Sequence, residues 1–106
     1  MQNQRLILLQ KYFEQEPSDP FNIYGLALEY RNFDQKKAAE YFDLLLNNHK
    51  SYLPTYYHAA QLFVELGLNQ KADSIYQDGI ALAKKQADAL ALRELQNAYS
   101  NFQFDD

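Results

Sequence analysis

The stretch "PTYYHAAQLFVELG", residues 54–67, sets apolar or small side chains at Tyr56, Ala59, Ala60 and Phe63. The intervals are i, i+3, i+4 and i+7, which fall on one face of a helix. Thirty-three residues earlier, Ile23, Leu26, Ala27 and Tyr30 stand at the same four places. The downstream segments match as well: Ala38, Tyr41, Phe42, Leu45 and Leu46 recur thirty-four residues later as Ala72, Ile75, Tyr76, Gly79 and Ile80. Nine positions pair, with one residue gained in the connection between the helices. Self-similarity of this kind marks a helical repeat, and it predicts two consecutive helix–turn–helix units.

The pattern has a packing logic. A methyl group at Ala27 and Ala60 lets two helix axes approach closely, and the larger Tyr30 and Phe63 fill the space beside them. Helix ends are marked locally. Asp19 precedes Pro20, an N-cap followed by a residue suited to the first helical position. Pro54 plays a similar part for the third long helix, and Asp34 is placed to cap the second helix of the first unit. Gly67 is placed to take the left-handed conformation that ends a helix, whereas the first unit's turn, "RNFDQKKA", is one residue shorter and has no glycine.

Half-units flank the pair. Shifting the second-helix pattern back thirty-three residues lands on Leu8, Leu9, Tyr12 and Phe13, with Pro17 closing the segment. Toward the other end, Leu92, Leu95, Tyr99 and Phe102 form an apolar stripe, with Arg93, Glu94, Gln96 and Asn97 facing outward. That is the form of a capping helix, which repeat arrays need because an open end exposes core. The repeat register and a cap at Asp88 place a break near Gln86. A continuous helix from about Asn69 to Phe102 is the competing reading, since no glycine or proline follows Gly79.

This pattern resembles the tetratricopeptide repeat, whose signature is W-x2-L-G-x2-Y, then A-x3-F, then P, at a period of about 34 residues. The first unit has Ile23-x2-Leu26-Ala27-x2-Tyr30 and Ala38-x3-Phe42; the second has Tyr56-x2-Ala59-Ala60-x2-Phe63 and Ala72-x3-Tyr76. The tryptophan is replaced in both, and Lys50 and Lys84 stand where the closing proline would be. The resemblance implies an all-α fold, an α-α superhelix of antiparallel helix pairs with about six helices. On that basis residues 1–106 form a single domain. Its parts are an N-terminal half-repeat helix (1–17), repeat 1 (19–50), repeat 2 (51–85) and a C-terminal capping helix (87–103).

Composition agrees with a globular chain and narrows its chemistry. A length of 106 residues suits one domain. Three glycines and three prolines argue for long regular elements with few turns. With no cysteine there is neither a disulfide framework nor a thiolate metal site, which suits a reducing cytoplasm. The N-terminal apolar run, Leu6 to Leu9, is shorter than the about 7–15 apolar residues of a signal peptide, and no stretch approaches a membrane span. Net charge is −4 with scattered basic residues, so nucleic acid is not expected as a partner. The expectation is a soluble cytoplasmic protein.

Tyr57 and His58 invite a catalytic reading that the spacing does not support. Adjacent helical residues point about 100° apart and are not expected to face each other. A catalytic histidine is usually oriented by a carboxylate, and none lies within one turn of His58. His49 and His58 lack a ligand-spaced third group for zinc. Glu14 and Glu16 lie on nearly opposite helix faces, and Asp105-Asp106 is a terminal tail. No glycine-rich phosphate loop, G-x-S-x-G or H-E-x-x-H occurs. The chain is expected not to be an enzyme and to need no cofactor and no metal.

What the resemblance implies instead is a groove, lined by the first helix of each pair, that holds a peptide or a partner's helix. Its residues would be Tyr24, Leu28 and Arg31 in the first unit and Tyr57 and Gln61 in the second, with His58 and Glu65 at the rim. Tyrosine and arginine dominate such binding energetics. Some members of the family grip a C-terminal carboxylate with lysine and asparagine. Leu28 and Gln61 stand where those residues would be needed, so an apolar or tyrosine-friendly ligand is expected. The alternative is a self-associating module, a homodimer formed through the Tyr24–Tyr57 face or the aromatic C-terminal helix with Tyr99, Phe102 and Phe104.

Overall fold

The computed structural model describes residues 3–104; residues 1 and 2 and the Asp105-Asp106 tail lie outside the described residues. Among the described residues the fold is all-α, with six helices, and the chain divides into two compact units, Met1–Tyr52 and Leu53–Asp106.

The first unit holds α1 (Gln4–Gln15), α2 (Pro20–Arg31) and α3 (Gln35–Asn48). Local chemistry sets each start. Asn3 accepts from the Leu6 N–H at 3.1 Å, Asp19 from the Phe21 N–H at 3.0 Å, and Asp34 from the Lys37 N–H at 3.1 Å. Pro20 occupies the first turn of α2, where no N–H is needed. Ile23, Leu26, Ala27 and Tyr30 on α2 are buried, as are Ala38, Phe42 and Leu45 on the neighbouring α3. The Tyr30 ring stacks on Tyr41 with centroids 5.6 Å apart.

Helix α1 docks on α2 through polar ties and one close approach. Asn3 donates to Glu29 at 2.7 Å, Gln10 donates to the Tyr30 hydroxyl at 2.9 Å, and Arg5 pairs with Glu29 at 3.6 Å. Asn22 donates to the Tyr12 and Glu16 carbonyls at 3.2 Å each, a second bond to oxygens that already accept from the Glu16 and Asp19 N–H groups. At Gly25 an added Cβ would come within 3.0 Å of the Leu9 methyl.

The core pattern read for α1 holds only in part. None of its residues is fully buried, and Leu8 and Tyr12 are 48% and 46% exposed. Their register equivalents on α3 are Tyr41 and Leu45, and Leu45 is completely buried. The difference is one of neighbours, because α2 packs onto α3 at that face. No first helix of α1's own unit lies among the described residues.

The second unit holds α4 (Pro54–Glu65), α5 (Asn69–Lys85) and α6 (Ala89–Phe104). Tyr56, Ala59, Ala60 and Phe63 are buried, with Ala72, Ile75, Tyr76 and Gly79 on α5. The tightest approach is at Gly79, where an added Cβ would lie 2.7 Å from the Tyr56 Cβ. Glycine is required there by space, since its φ is unremarkable. A lysine lies over the aromatic residue of each first helix: Lys71 Nζ is 4.2 Å from the Phe63 centroid, and Lys37 Nζ is 5.9 Å from that of Tyr30.

Both helix ends in this unit close in the same way. Gly67, at φ 78°, donates to the Val64 carbonyl at 3.0 Å, and Leu68 donates to Phe63 at 2.8 Å. Ala87, at φ 57°, donates to Lys84 at 3.1 Å, and Asp88 donates to Ala83 at 3.0 Å. These are paired Schellman closures. The Asp88 side chain then accepts from the Ala91 N–H at 3.0 Å, capping α6. A continuous helix through Gln86 is therefore excluded. On α6 only Leu95 is fully buried, and Arg93, Glu94, Gln96 and Asn97 are exposed.

Candidate interaction surface

In the first unit, Tyr24, Leu28 and Arg31 lie on α2, and all three are half-buried. The Tyr24 ring meets Tyr52 edge-on, with centroids 5.7 Å apart and planes at 66°. Burial pushes the Tyr24 hydroxyl above the usual tyrosine range, and the neighbouring Tyr52 adds to that. Tyr24 is thus a partly fixed ring edge rather than a freely exposed side chain.

In the second unit, α4, the turn at Gly67, α5 and α6 enclose an open cleft of about 610 Å³. Tyr57, Gln61, Val64 and Glu65 form one wall, and Ala98, Asn101 and Phe102 form the other. Asn69 stands at the turn, and the buried Tyr76 contributes from α5. The surface is mixed: three carboxamides, two phenols and a carboxylate border aliphatic and aromatic carbon. No lysine, arginine or histidine is among the lining residues.

Three of the residues expected on this unit therefore line one cleft, namely Tyr57, Gln61 and Glu65. His58 is not among the lining residues. Its ring packs against Tyr57 with centroids 5.3 Å apart at 77°. The expectation that these neighbours would not face each other is corrected, because long planar side chains can converge even from adjacent positions.

The α6 wall was missed. The sequence pattern places Phe102 in an apolar stripe and gives α6 a capping role or, alternatively, a dimer seam, not a cleft wall. The signal that could have found it is the i, i+3, i+4 spacing of Ala98, Asn101 and Phe102, a second stripe beside the first.

The α6 wall is held from behind. Tyr99 donates to Asp73 at 2.8 Å, and Gln77 donates to Asp73 at 2.7 Å and to the Tyr99 hydroxyl at 3.2 Å. Tyr76, Tyr99 and Phe102 form a cluster with neighbouring centroids 5.6–6.3 Å apart. The hydrogen bond to Asp73 holds the Tyr99 hydroxyl above the usual tyrosine range, with a smaller push from burial. Phe102 therefore presents its ring from a braced backbone, which limits the entropy lost when a ligand orders the site. Among the described residues no group of three or more His, Asp or Glu side chains is arranged to hold a metal ion, and no helix is long and apolar enough to cross a membrane.

No protein-family model matches the chain, and no curated protein matches it. Solved structures do. The chain is similar to the crystal structure of a tetratricopeptide repeat domain protein from Salinibacter ruber, at 31% identity and a TM-score of 0.78. That match covers 83% of this chain and 99% of the other. It is also similar to a solution NMR structure of a tetratricopeptide repeat domain protein from the same organism, at 32% identity and a TM-score of 0.80, covering 86% and 93% of the two chains.

Proposed function

The chain belongs to the tetratricopeptide repeat family, and on that premise we propose that it is a non-enzymatic protein-interaction module. Its ligand is a peptide or a partner's helix, held on the first-helix surfaces of the repeats. The reading rests on one observation, the open cleft between α4 and α6 with its mixed, cation-free lining. Val64 and Phe102 supply apolar contact, while Gln61, Asn69 and Asn101 can each donate to and accept from a main-chain amide. A lining without lysine or arginine does not suit a carboxylate clamp, so the ligand is recognised through an internal segment with an apolar or aromatic side chain.

In the second unit Tyr57, Gln61 and Glu65 are the proposed contacts, with His58 supporting Tyr57. In the first unit Tyr24, Leu28 and Arg31 are proposed as further contacts, presented by α2. A cytoplasmic setting, and a protein partner rather than nucleic acid or a membrane, belong to the same reading.

The test is a selection of peptides from a displayed random library, followed by mapping of a binder by amide chemical-shift perturbation. Shifts are expected to cluster on α4 and α6 around Tyr57, Gln61 and Asn101. Tyr24→Ala/Tyr57→Ala should weaken binding at least about tenfold, the order expected for losing aromatic anchors. A binder whose shifts map elsewhere, or whose affinity ignores both tyrosines, would remove the groove from consideration.

A further inference from the structure

The exposed face of α1 has an order that the groove reading leaves unused. Arg5, Leu8, Tyr12 and Glu16 recur at i, i+3, i+7 and i+11, one stripe along the helix and its C-cap. Leu8 and Tyr12 are about half exposed, the Arg5 side chain is 79% exposed, and Glu16 is exposed. The same face of α3 is covered by α2 and buries Ala38 and Leu45 completely, so this surface is built to receive a helix.

The charge order says which helix. The stripe runs from a cation, through two apolar side chains, to a carboxylate. We propose that α1 is a self-association surface on which a second copy of this chain pairs its own α1 in antiparallel orientation.

In that pairing Leu8 of one copy meets Tyr12 of the other, and Arg5 meets Glu16, twice over by symmetry. An isologous contact requires such self-complementarity, and a parallel pairing would set like charges together. Helix α6 of a second copy offers Arg93, Glu94, Gln96 and Asn97 along its middle, and its exposed Leu90 and Phe104 stand at opposite ends, about 20 Å apart, too far to meet Leu8 and Tyr12 together.

Sedimentation velocity from about 10 µM to about 1 mM, a range that reports a weak interface, is the test. Wild type should shift from monomer to dimer with concentration, and Leu8→Lys should stay monomeric with an unchanged helical circular dichroism spectrum. Glu16→Arg alone, and Arg5→Glu alone, should each raise the dissociation constant at least about tenfold. Mixed one to one, these two variants should recover a heterodimer, because each then supplies the charge the other lost. Arg5 also pairs with Glu29, so if Arg5→Glu unfolds α1 the decision passes to Leu8→Lys and Glu16→Arg. Wild type that stays monomeric throughout, dimers that survive Leu8→Lys, or a mixture of folded variants that fails to associate would each overturn the proposal.

Discussion

The helix pairs α2–α3 and α4–α5 carry the same nine-position pattern and close it differently. At one register position the first pair has Ile23 where the second has Tyr56; at another it has Leu45 where the second has Gly79. All four residues are buried. Bulk that stands on α3 in the first unit has moved to α4 in the second, and the Tyr56 Cβ occupies the space that any side chain at Gly79 would need. The bulk is not simply exchanged: Tyr56 with Gly79 is smaller than Ile23 with Leu45, and Leu95 of α6, whose Cδ1 would lie 3.3 Å from a Gly79 Cβ, shares the space, as close packing demands.

Exchanging one member of each pair breaks the comparison most sharply. Leu45→Gly should destabilise by about 4 kcal/mol, combining a core cavity with a helix-interior glycine. Gly79→Leu should cost about 3 kcal/mol or more, because the new side chain meets a stiff Cβ rather than a flexible tip. Urea midpoints at unchanged m-values read both. A Gly79→Leu variant as stable as wild type would mean that α4 and α5 are not held as closely as Tyr56 and Gly79 indicate.

The shared small position should behave alike in both pairs. Ala27 and Ala60 are each completely buried, so Ala27→Leu and Ala60→Leu should each cost about 1–3 kcal/mol by overpacking. A large difference between the two would show that the nine-position register does not describe equivalent packing.

The helix ends offer a smaller and more exact contrast. Gly67 and Ala87 hold the same left-handed position in the same closure, but only one of them is glycine. Ala87→Gly should therefore stabilise by up to about 1 kcal/mol, and Gly67→Ala should destabilise by a similar amount. Thermal unfolding distinguishes these signs, and two effects of the same sign would contradict the closure geometry.

What could be read from sequence was whatever is encoded within one turn or one repeat. Asp19, Asp34, Gly67 and Asp88 act on backbone groups no more than four residues away, so their roles are visible without a fold. The small-residue spacing at Ala27 and Ala60 repeats, so comparing the chain with itself exposed it. Gly79 was paired with Leu45 in that comparison, yet its meaning depends on Tyr56, a residue on another helix. The cleft wall of Ala98, Asn101 and Phe102, and the open stripe of α1, likewise depend on which helix packs where. Periodicity shows that a face is apolar and leaves open what covers it.

The tyrosines carry the last difference. In the first unit Tyr24, Tyr41 and Tyr52 are pushed above the usual tyrosine range chiefly by burial. In the second, burial also leads for Tyr56, but for Tyr99 the hydrogen bond to Asp73 leads. A raised tyrosine value means that the fold favours the neutral phenol. That contribution to stability is fully present below about pH 10 and is lost as pH rises through the folded-state value. Asp73→Ala should bring the Tyr99 ionisation down toward the ordinary value and leave those of Tyr24, Tyr41 and Tyr52 in place, as read by ring-carbon shifts across an alkaline titration. The stability gap between wild type and Asp73→Ala should then narrow above about pH 10, where Tyr99 surrenders the proton it shares. A gap that stays constant through that range would mean that the hydrogen bond does not set the ionisation of Tyr99, and that burial governs the tyrosines of both units alike.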